Sequence, residues 1–239
     1  MGRGQSAAPG SELLLAGSEA RHLLVARRAE PGDRLELFDG CGGLWSAELV
    51  SGSEAGALCR VISELEAGTT NSPRLTVATA VPRTKRMSFL VEKCAELGVG
   101  ELLPVSWKRS PRSGSRAAVE RWRRLAESAA KQSRQSTLMH VESPLAPENL
   151  GARLEAFEAC LLLDPRSGLD LRSALETIPA GARIAAIVGP EGGFTAPEET
   201  LLTRLGENLQ RVRMGNSVLR VETAAITAAA LILVGSASR

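Results

Sequence analysis

Two glycine-containing segments near the C-terminus decide the fold class: IVGPEGGF at residues 187–194 and MGNSVLRVET at residues 214–223. Each segment follows a short apolar run and precedes a stretch with a helical pattern, which is typical of loops that leave parallel strands. Ligands bind in open α/β sheets at the edge where the carboxyl ends of the strands meet. The two segments therefore predict a ligand site in an α/β domain.

Strand and helix patterns alternate along the chain after Pro73. The apolar runs predict strands at 75–81, 101–105, 159–163, 184–188 and 209–212. Helices are predicted between and after them, at 86–97, 117–133, 169–176, 197–205 and 223–234, and Thr195 with Glu198 forms a capping box before the fourth of these. We expect a mostly parallel sheet that helices cover on both faces.

The residues before Pro73 show shorter, alternating patterns instead. They predict strands at 34–38, 44–50 and 57–65, a turn at 39–43, and a helix over 18–26 with Ser18 as its N-cap. These elements favour a small β-barrel in residues 1–72, a polar linker at 67–73, and a second domain over 73–239.

The last predicted helix is apolar on every side, with the sequence AAITAAALILV at 224–234. A helix of this kind must be buried all round. One side can pack on the sheet and the other on a second subunit, which predicts a homodimer. The alternative is a central core helix within one chain.

Composition excludes several classes of protein. No apolar run reaches the length of a membrane span and no cleavable signal pattern is present, so we expect a cytoplasmic protein. Cys41, Cys59, Cys94 and Cys160 are widely spaced, which favours buried free thiols over a disulfide framework. With only two histidines besides these cysteines, we expect no metal site.

Arginine dominates the basic residues, since only four of the 29 are lysine. Seven basic residues lie between positions 108 and 124, against the single acid Glu120: Lys108, Arg109, Arg112, Arg116, Arg121, Arg123 and Arg124. A solvated helix face explains part of this cluster. The part in the loop at 106–115 favours a nucleic-acid contact, because arginine holds phosphates through a planar fork.

The two glycine segments match neither a dinucleotide fingerprint nor a P-loop. Glycines at 189, 192 and 193 allow a ligand to approach the backbone closely, although a tight strand-to-helix turn also explains them. In the second segment, Arg220 and Glu222 stand at the start of an apolar helix. Charges in such a position cost desolvation and are typical of functional sites.

These segments resemble the two C-terminal signatures of the ribosomal RNA small subunit methyltransferase E family, which is of the SPOUT class. The resemblance continues upstream in KCAELGV at 93–99, in KRS at 108–110 and in AAKQS at 129–133. It extends into the first domain through 22–27, 32–33 and 37–40, so that it covers about residues 12–234.

The resemblance implies a PUA-like RNA-binding β-barrel, followed by a SPOUT domain with a C-terminal trefoil knot over roughly 160–234. It also implies a homodimer that uses S-adenosyl-L-methionine to methylate N3 of a uridine in 16S ribosomal RNA of the small ribosomal subunit. The positions that correspond to the family's cofactor loops are Leu162, Leu163, Asp164, Val188, Gly189, Gly192, Gly193, Met214, Gly215, Val218, Leu219 and Thr223.

The resemblance also suggests roles for charged residues. We expect Arg220 to stabilise the uracil anion, with Glu191 or Glu222 assisting proton removal or positioning the arginine. The expected RNA contacts are Arg27, Arg28, Arg86, Lys108, Arg109, Arg112, Gln132 and Arg134.

The chain departs from the family pattern in a few places: Ser217 replaces an arginine, Val221 replaces a threonine, an arginine is displaced from position 135 to 134, and residues 1–10 lack the usual opening strand. Two alternatives stay open. One is a SPOUT enzyme that methylates a ribose 2′-hydroxyl or another base, and the other is a non-catalytic RNA-binding ribosome assembly factor.

Overall fold

A computed structural model describes residues 7–65, 74–111, 114–206 and 209–236. The chain divides into two compact units, Met1–Thr69 with Gln135–Thr137, and Thr70–Arg134 with Leu138–Arg239. The predicted linker at 67–73 lies outside the described residues, as does the predicted boundary at 72/73.

The first unit contains a four-stranded antiparallel sheet. Its strands are β1 (Glu12–Leu15), β2 (Arg34–Phe38), β3 (Leu44–Ser53) and β4 (Gly56–Leu65), in the order β1-β4-β3-β2. The three predicted strands are confirmed. The sequence analysis missed β1, in which Leu13 pairs with Cys59 of β4.

A short helix follows β1, and its start differs from the prediction. Helix α1 (Gly17–Arg21) continues into a π-helical turn (His22–Ala26), and Ala16 is the N-cap residue. The prediction that Ser18 caps the helix is wrong, because Gly17 already belongs to the helix with a left-handed φ of 61°. Leu23 in the π-helical turn packs into a small core with Leu37 and Leu49.

The second unit contains a six-stranded sheet in which every pairing is parallel. Its order is β10-β8-β9-β5-β6-β7, with β5 (Arg74–Ala80), β6 (Glu101–Val105), β7 (His140–Val141), β8 (Ala159–Leu163), β9 (Arg183–Val188) and β10 (Leu209–Val212). All five strands predicted for this part of the chain are confirmed. The two-residue strand β7 was missed.

The helices of this unit are α2 (Thr84–Glu96), α3 (Arg116–Gln132), α4 (Leu150–Leu154), α5 (Leu171–Glu176), α6 (Ala196–Thr203) and α7 (Val221–Ser236). The five predicted helices are confirmed, and α4 was missed. The capping box of α6 is also confirmed, since Thr195 and Glu198 exchange their side-chain and backbone hydrogen bonds. This cap fixes the point at which the chain leaves the first glycine segment.

Helix α7 packs on β5, β9 and α2 through one face. Ala225, Ala228 and Ile232 on that face are completely buried. Among the described residues the opposite side is covered only in part, because Leu231 is half-buried against the core and Val234 is 62% exposed. The alternative of a central core helix is therefore wrong, and the homodimer remains a prediction.

The cysteines are free thiols. Cys59, Cys94 and Cys160 are buried as expected, and burial raises the pKa of Cys94 to about 12 and that of Cys160 to about 11. The expectation of burial is wrong for Cys41, which is exposed. Among the described helices, none is long and apolar enough to cross a bilayer.

Candidate functional site

A cavity of about 370 Å³ lies where the carboxyl ends of β8, β9 and β10 meet. Residues 163–166 line it after β8, residues 188–194 after β9, and residues 212–214 with 217–219 after β10. Arg109, Glu199, Val221 and Ala224 complete the lining. This is the sheet edge that the two glycine segments predicted, and its volume is in the usual range for small-molecule pockets.

Most of the residues predicted to bind a cofactor line this cavity: Leu163, Asp164, Val188, Gly189, Gly192, Gly193, Met214, Val218 and Leu219. Leu162, Gly215 and Thr223 are not part of the lining. Leu162 is completely buried within β8, and Gly215 is exposed at a φ of 80°. The three loops named in the prediction therefore line the cavity, while the binding of a cofactor by these residues remains a prediction.

The first glycine segment is shaped by tight packing as well as by the cavity. A Cβ atom on Gly189 would come within 2.4 Å of the Phe194 ring, and Gly193 has a left-handed φ of 72°. Phe194 in turn packs edge-on against Trp107, with ring centroids 4.8 Å apart. The explanation by a tight turn is therefore confirmed. The same residues also form a wall of the cavity, and close approach of a ligand to them remains a prediction.

Arg109 is held against this same segment. Its Nη1 donates hydrogen bonds to the carbonyl oxygens of Gly192 at 2.7 Å and Phe194 at 3.4 Å. The sequence analysis assigned Arg109 to RNA, and that assignment remains a prediction. In the structure, its guanidinium braces a wall of the cavity.

Arg86 joins the two carboxylates that were predicted to be catalytic. Its Nη1 lies 3.0 Å from Glu191 Oε1 and its Nε lies 3.5 Å from Glu222 Oε1. Glu222 is buried, and its Oε2 has no hydrogen-bond partner in the part of the chain that the structure describes. Arg86, another residue predicted to contact RNA, therefore ties the first glycine segment to the start of α7.

Arg220, the third predicted catalytic residue, lies apart from this group. It is exposed and does not line the cavity. Its backbone carbonyl accepts a hydrogen bond from the N–H of Ala224 in the first turn of α7. The structure thus brings Glu191 and Glu222 together through Arg86 but not Arg220.

A network of ion pairs forms another part of the cavity. Asp164 accepts hydrogen bonds from Arg166 and from Arg211 Nη1, the latter at 3.0 Å, and Arg211 also pairs with Glu199. Burial raises the pKa of Asp164, but these hydrogen bonds lower it by more, so the pKa lies below its usual range. Asp164 is therefore ionised at neutral pH.

Glu198 connects the cap of α6 to the basic loop. It is buried and accepts hydrogen bonds from the backbone N–H of Lys108 at 2.6 Å and from the N–H and hydroxyl of Thr195, both at 2.7 Å. Burial raises the pKa of Glu198, but the hydrogen bonds outweigh that effect and lower it. This anchor fixes the basic loop beside the first glycine segment.

The other predicted RNA contacts lie on the surfaces of their units. Arg27 and Arg28 are exposed in the first unit, while Lys108, Gln132 and Arg134 are exposed in the second. Arg28 and Arg134 each have a left-handed backbone, with φ values of 52° and 56°. Arg112 lies outside the described residues.

The sequence analysis missed several lining residues, among them Pro190, Phe194, Arg166, Glu199 and Arg213. Pro190 and Phe194 lie within the first glycine segment, so its full length was the available signal. Arg213 directly precedes the second segment. Arg166 and Glu199 gave no signal, because only the fold places them beside Asp164 and Arg211.

One cluster of possible metal ligands lies elsewhere. Glu101, His140 and Glu142 place their ligand atoms within 4.8 Å of one another, at the beginnings of β6 and β7. Arg153 forms ion pairs with both glutamates, and Thr76 donates a hydrogen bond to Glu101. The protein thus already supplies a cation to this cluster.

Comparison with known proteins places the chain in a family. The model of the RNA methyltransferase domain matches residues 70–233, and that of the RNA methyltransferase PUA domain matches residues 15–62. Ribosomal RNA small subunit methyltransferase E of Mycobacterium bovis is 30% identical over 226 residues, which cover 92% of this chain and 85% of that protein. The chain belongs to the ribosomal RNA small subunit methyltransferase E family.

Solved structures agree with this membership. A family member from Neisseria gonorrhoeae, bound to S-adenosyl methionine, is 28% identical, with a TM-score of 0.81 over 95% of this chain and 92% of that one. A methyltransferase from Legionella pneumophila, in complex with the same cofactor, is 26% identical, with a TM-score of 0.82 over 98% of this chain and 96% of that one. The family fold therefore spans both units.

Proposed function

We propose that this protein transfers a methyl group from S-adenosyl-L-methionine to N3 of a uridine in 16S ribosomal RNA of the small subunit. One observation carries the proposal: the two glycine segments form walls of a single cavity, and Arg86 joins the carboxylates that each segment contributes. The relatives are named as methyltransferases of small subunit ribosomal RNA, which supports the substrate class.

The cavity fits the cofactor. It is bounded by the carboxyl ends of three parallel strands, and Gly189, Gly192 and Gly193 are among the residues that line it. Arg213, which lines the cavity, has a buried Nε without a hydrogen-bond partner among the described residues. When bound there, S-adenosylmethionine supplies an activated methyl group on a sulfonium.

The chain's own residues prepare the uracil. N3 carries an imide proton that must leave as the new N–C bond forms, and a buried carboxylate oxygen without a donor can accept it. We assign this role to Glu222. Its Oε2 is buried without a hydrogen-bond donor among the described residues, while its Oε1 faces Arg86. Glu191 positions Arg86, and Arg220, which is exposed just before α7, stabilises the negative charge on the uracil carbonyl oxygens.

RNA phosphates are held mainly by basic residues. We assign this role to Arg27, Arg28, Lys108, Arg112 and Arg134, together with Gln132. Arg86 and Arg109 contribute positive charge at the cavity, although their hydrogen bonds are given to the protein. Most of these are arginines, which hold phosphates in a bidentate manner.

The apolar side of α7 supports the proposed homodimer. Leu231 is only half-buried and Val234 is 62% exposed, and apolar surface of this kind is typical of subunit contacts. We further propose that residues 1–72 form the RNA-binding domain and 73–239 the catalytic domain with its trefoil knot. The assembled enzyme acts in the cytoplasm.

Primer extension on unmodified small-subunit RNA, after incubation with the protein and S-adenosylmethionine, tests the proposal. Methylation at N3 blocks Watson–Crick pairing, so reverse transcriptase is expected to stop one nucleotide before a uridine even at high nucleotide concentration. A methyl group incorporated without such a stop would favour ribose methylation. No incorporation, together with no thermal shift by the cofactor, would favour the assembly factor, because a ligand at about 100 times its Kd should add about 2.7 kcal/mol of stability.

A further inference from the structure

Charge in the cavity is almost completely paired within the protein. Three acids line it, and each has an arginine partner: Asp164 pairs with Arg166 and Arg211, Glu191 with Arg86, and Glu199 with Arg211. Each of these carboxylates is therefore already paired with a cation of the protein.

The arginines that line the cavity are not equally engaged. Arg166 gives its hydrogen bonds to Asp164, and Arg109 gives its hydrogen bonds to two backbone carbonyls. Arg213 is different, since its Nε is buried and finds no acceptor anywhere in the described ranges. No ion pair joins Arg213 to an acid of that part of the chain either.

A buried guanidinium N–H without an acceptor is costly, because it has given up its hydrogen bonds to water. The backbone of Arg213 is held in position, because both its N–H and its carbonyl form hydrogen bonds. Its N–H donates to the carbonyl oxygen of Leu169 at 2.8 Å, and its own carbonyl accepts from Leu171 at 2.9 Å. Arg213 is therefore fixed at the cavity wall, and its Nε–H lacks a hydrogen-bond acceptor among the described residues.

We propose that Arg213 binds the carboxylate of the amino-acid portion of S-adenosylmethionine. The inference depends on the proposed function, which places that cofactor in the cavity. A carboxylate satisfies a guanidinium through two parallel hydrogen bonds, and it supplies the negative charge that no side chain gives to Arg213. The loop after β10 would then bind the charged carboxylate of the cofactor, while the glycine segment after β9 lets the cofactor approach the backbone closely.

Calorimetric titration with two ligands tests the proposal: S-adenosylmethionine, and its decarboxylated form, which lacks only the carboxylate. The wild-type protein is expected to prefer the first ligand by about tenfold or more. In Arg213→Met this preference should fall to near one, through weaker binding of S-adenosylmethionine and unchanged or tighter binding of the decarboxylated form. Arg213→Lys, which keeps the charge but not the planar fork, should fall between the two.

Arg204→Met is the matched control, because Arg204 is an exposed arginine of the same unit that does not line the cavity. It should keep the wild-type preference. An Arg213→Met protein that still discriminates as the wild type does would overturn the inference, as would one that loses only affinity for RNA. Wild-type protein that binds neither ligand would contradict the proposed function itself.

Discussion

Replacing Arg86 by glutamine tests whether the joined carboxylates matter for both stability and catalysis. Arg86 is the one described residue that pairs with both Glu191 and Glu222. The two pairs differ in environment, since the side chain of Glu191 is 49% exposed whereas that of Glu222 is only 9% exposed. Water can replace the guanidinium at Glu191 but not readily at Glu222.

The magnitude follows from this difference. Breaking a fully buried ion pair costs about 3–5 kcal/mol, whereas an exposed pair contributes about 0–1 kcal/mol. Arg86 is 36% exposed and its distance to Glu222 is 3.5 Å, so the pair lies between these limits. We expect Arg86→Gln to lower the free energy of unfolding by about 1–2 kcal/mol, and to slow methylation about tenfold or more as Glu222 loses its orientation.

Two measurements separate the effects: urea unfolding at pH 7, and single-turnover methylation at saturating cofactor and RNA. Lys85→Gln is the control, because Lys85 is an exposed cation on the same helix and its removal changes the net charge equally. It should shift stability by less than about 0.5 kcal/mol. If Arg86→Gln matches Lys85→Gln in both assays, the reasoning about the joined carboxylates is refuted.

Three further predictions concern single residues. Arg220→Ala should slow methylation of small-subunit RNA by well over tenfold without loss of stability, and activity within about threefold of wild type would contradict its role. Glu198→Ala leaves the N–H of Lys108 and both donors of Thr195 without their acceptor, so urea unfolding should show a loss of about 2–3 kcal/mol, against less than about 0.5 kcal/mol for the exposed Glu176→Ala. Folding lowers the pKa of Glu198 below that of an unfolded glutamate, which is about 4.3. The stabilisation that Glu198 gives to the folded protein is therefore fully present above about pH 4.3, and it is lost as the pH falls through the pKa of the folded state. Unfolding measured from pH 7 to pH 3 should therefore depend less steeply on pH in Glu198→Ala than in the wild type, and equal slopes would exclude this linkage.

The sheet could be predicted from the sequence because its strands are contiguous apolar runs with polar ends. The strands at 101–105, 159–163 and 209–212 have the predicted bounds. β7 could not be predicted, since His140–Val141 is too short for a periodic signal and is defined by its pairing with β6. The start of α1 was wrong because a glycine in a left-handed conformation, rather than a serine cap, begins it.

In the site, too, features set by local sequence could be predicted and contacts between distant residues could not. The loops that line the cavity were predictable, because each follows its own strand and the carboxyl ends of parallel strands converge. The partners within the site were not, since Arg86 meets Glu222, and Arg109 meets Gly192, only after distant parts of the chain pack together. Arg86 and Arg109 were accordingly predicted only as RNA contacts.

Identification of the methylated nucleoside tests the central claim most directly. Small-subunit RNA from a strain without this modification is incubated with the protein and S-adenosylmethionine that carries a deuterated methyl group, then digested to nucleosides and analysed by mass spectrometry. We predict that the label appears in uridine methylated at N3 of the base, and that Glu222→Gln reduces it. Label on the ribose of any nucleoside, or on a base other than uracil, would contradict the account.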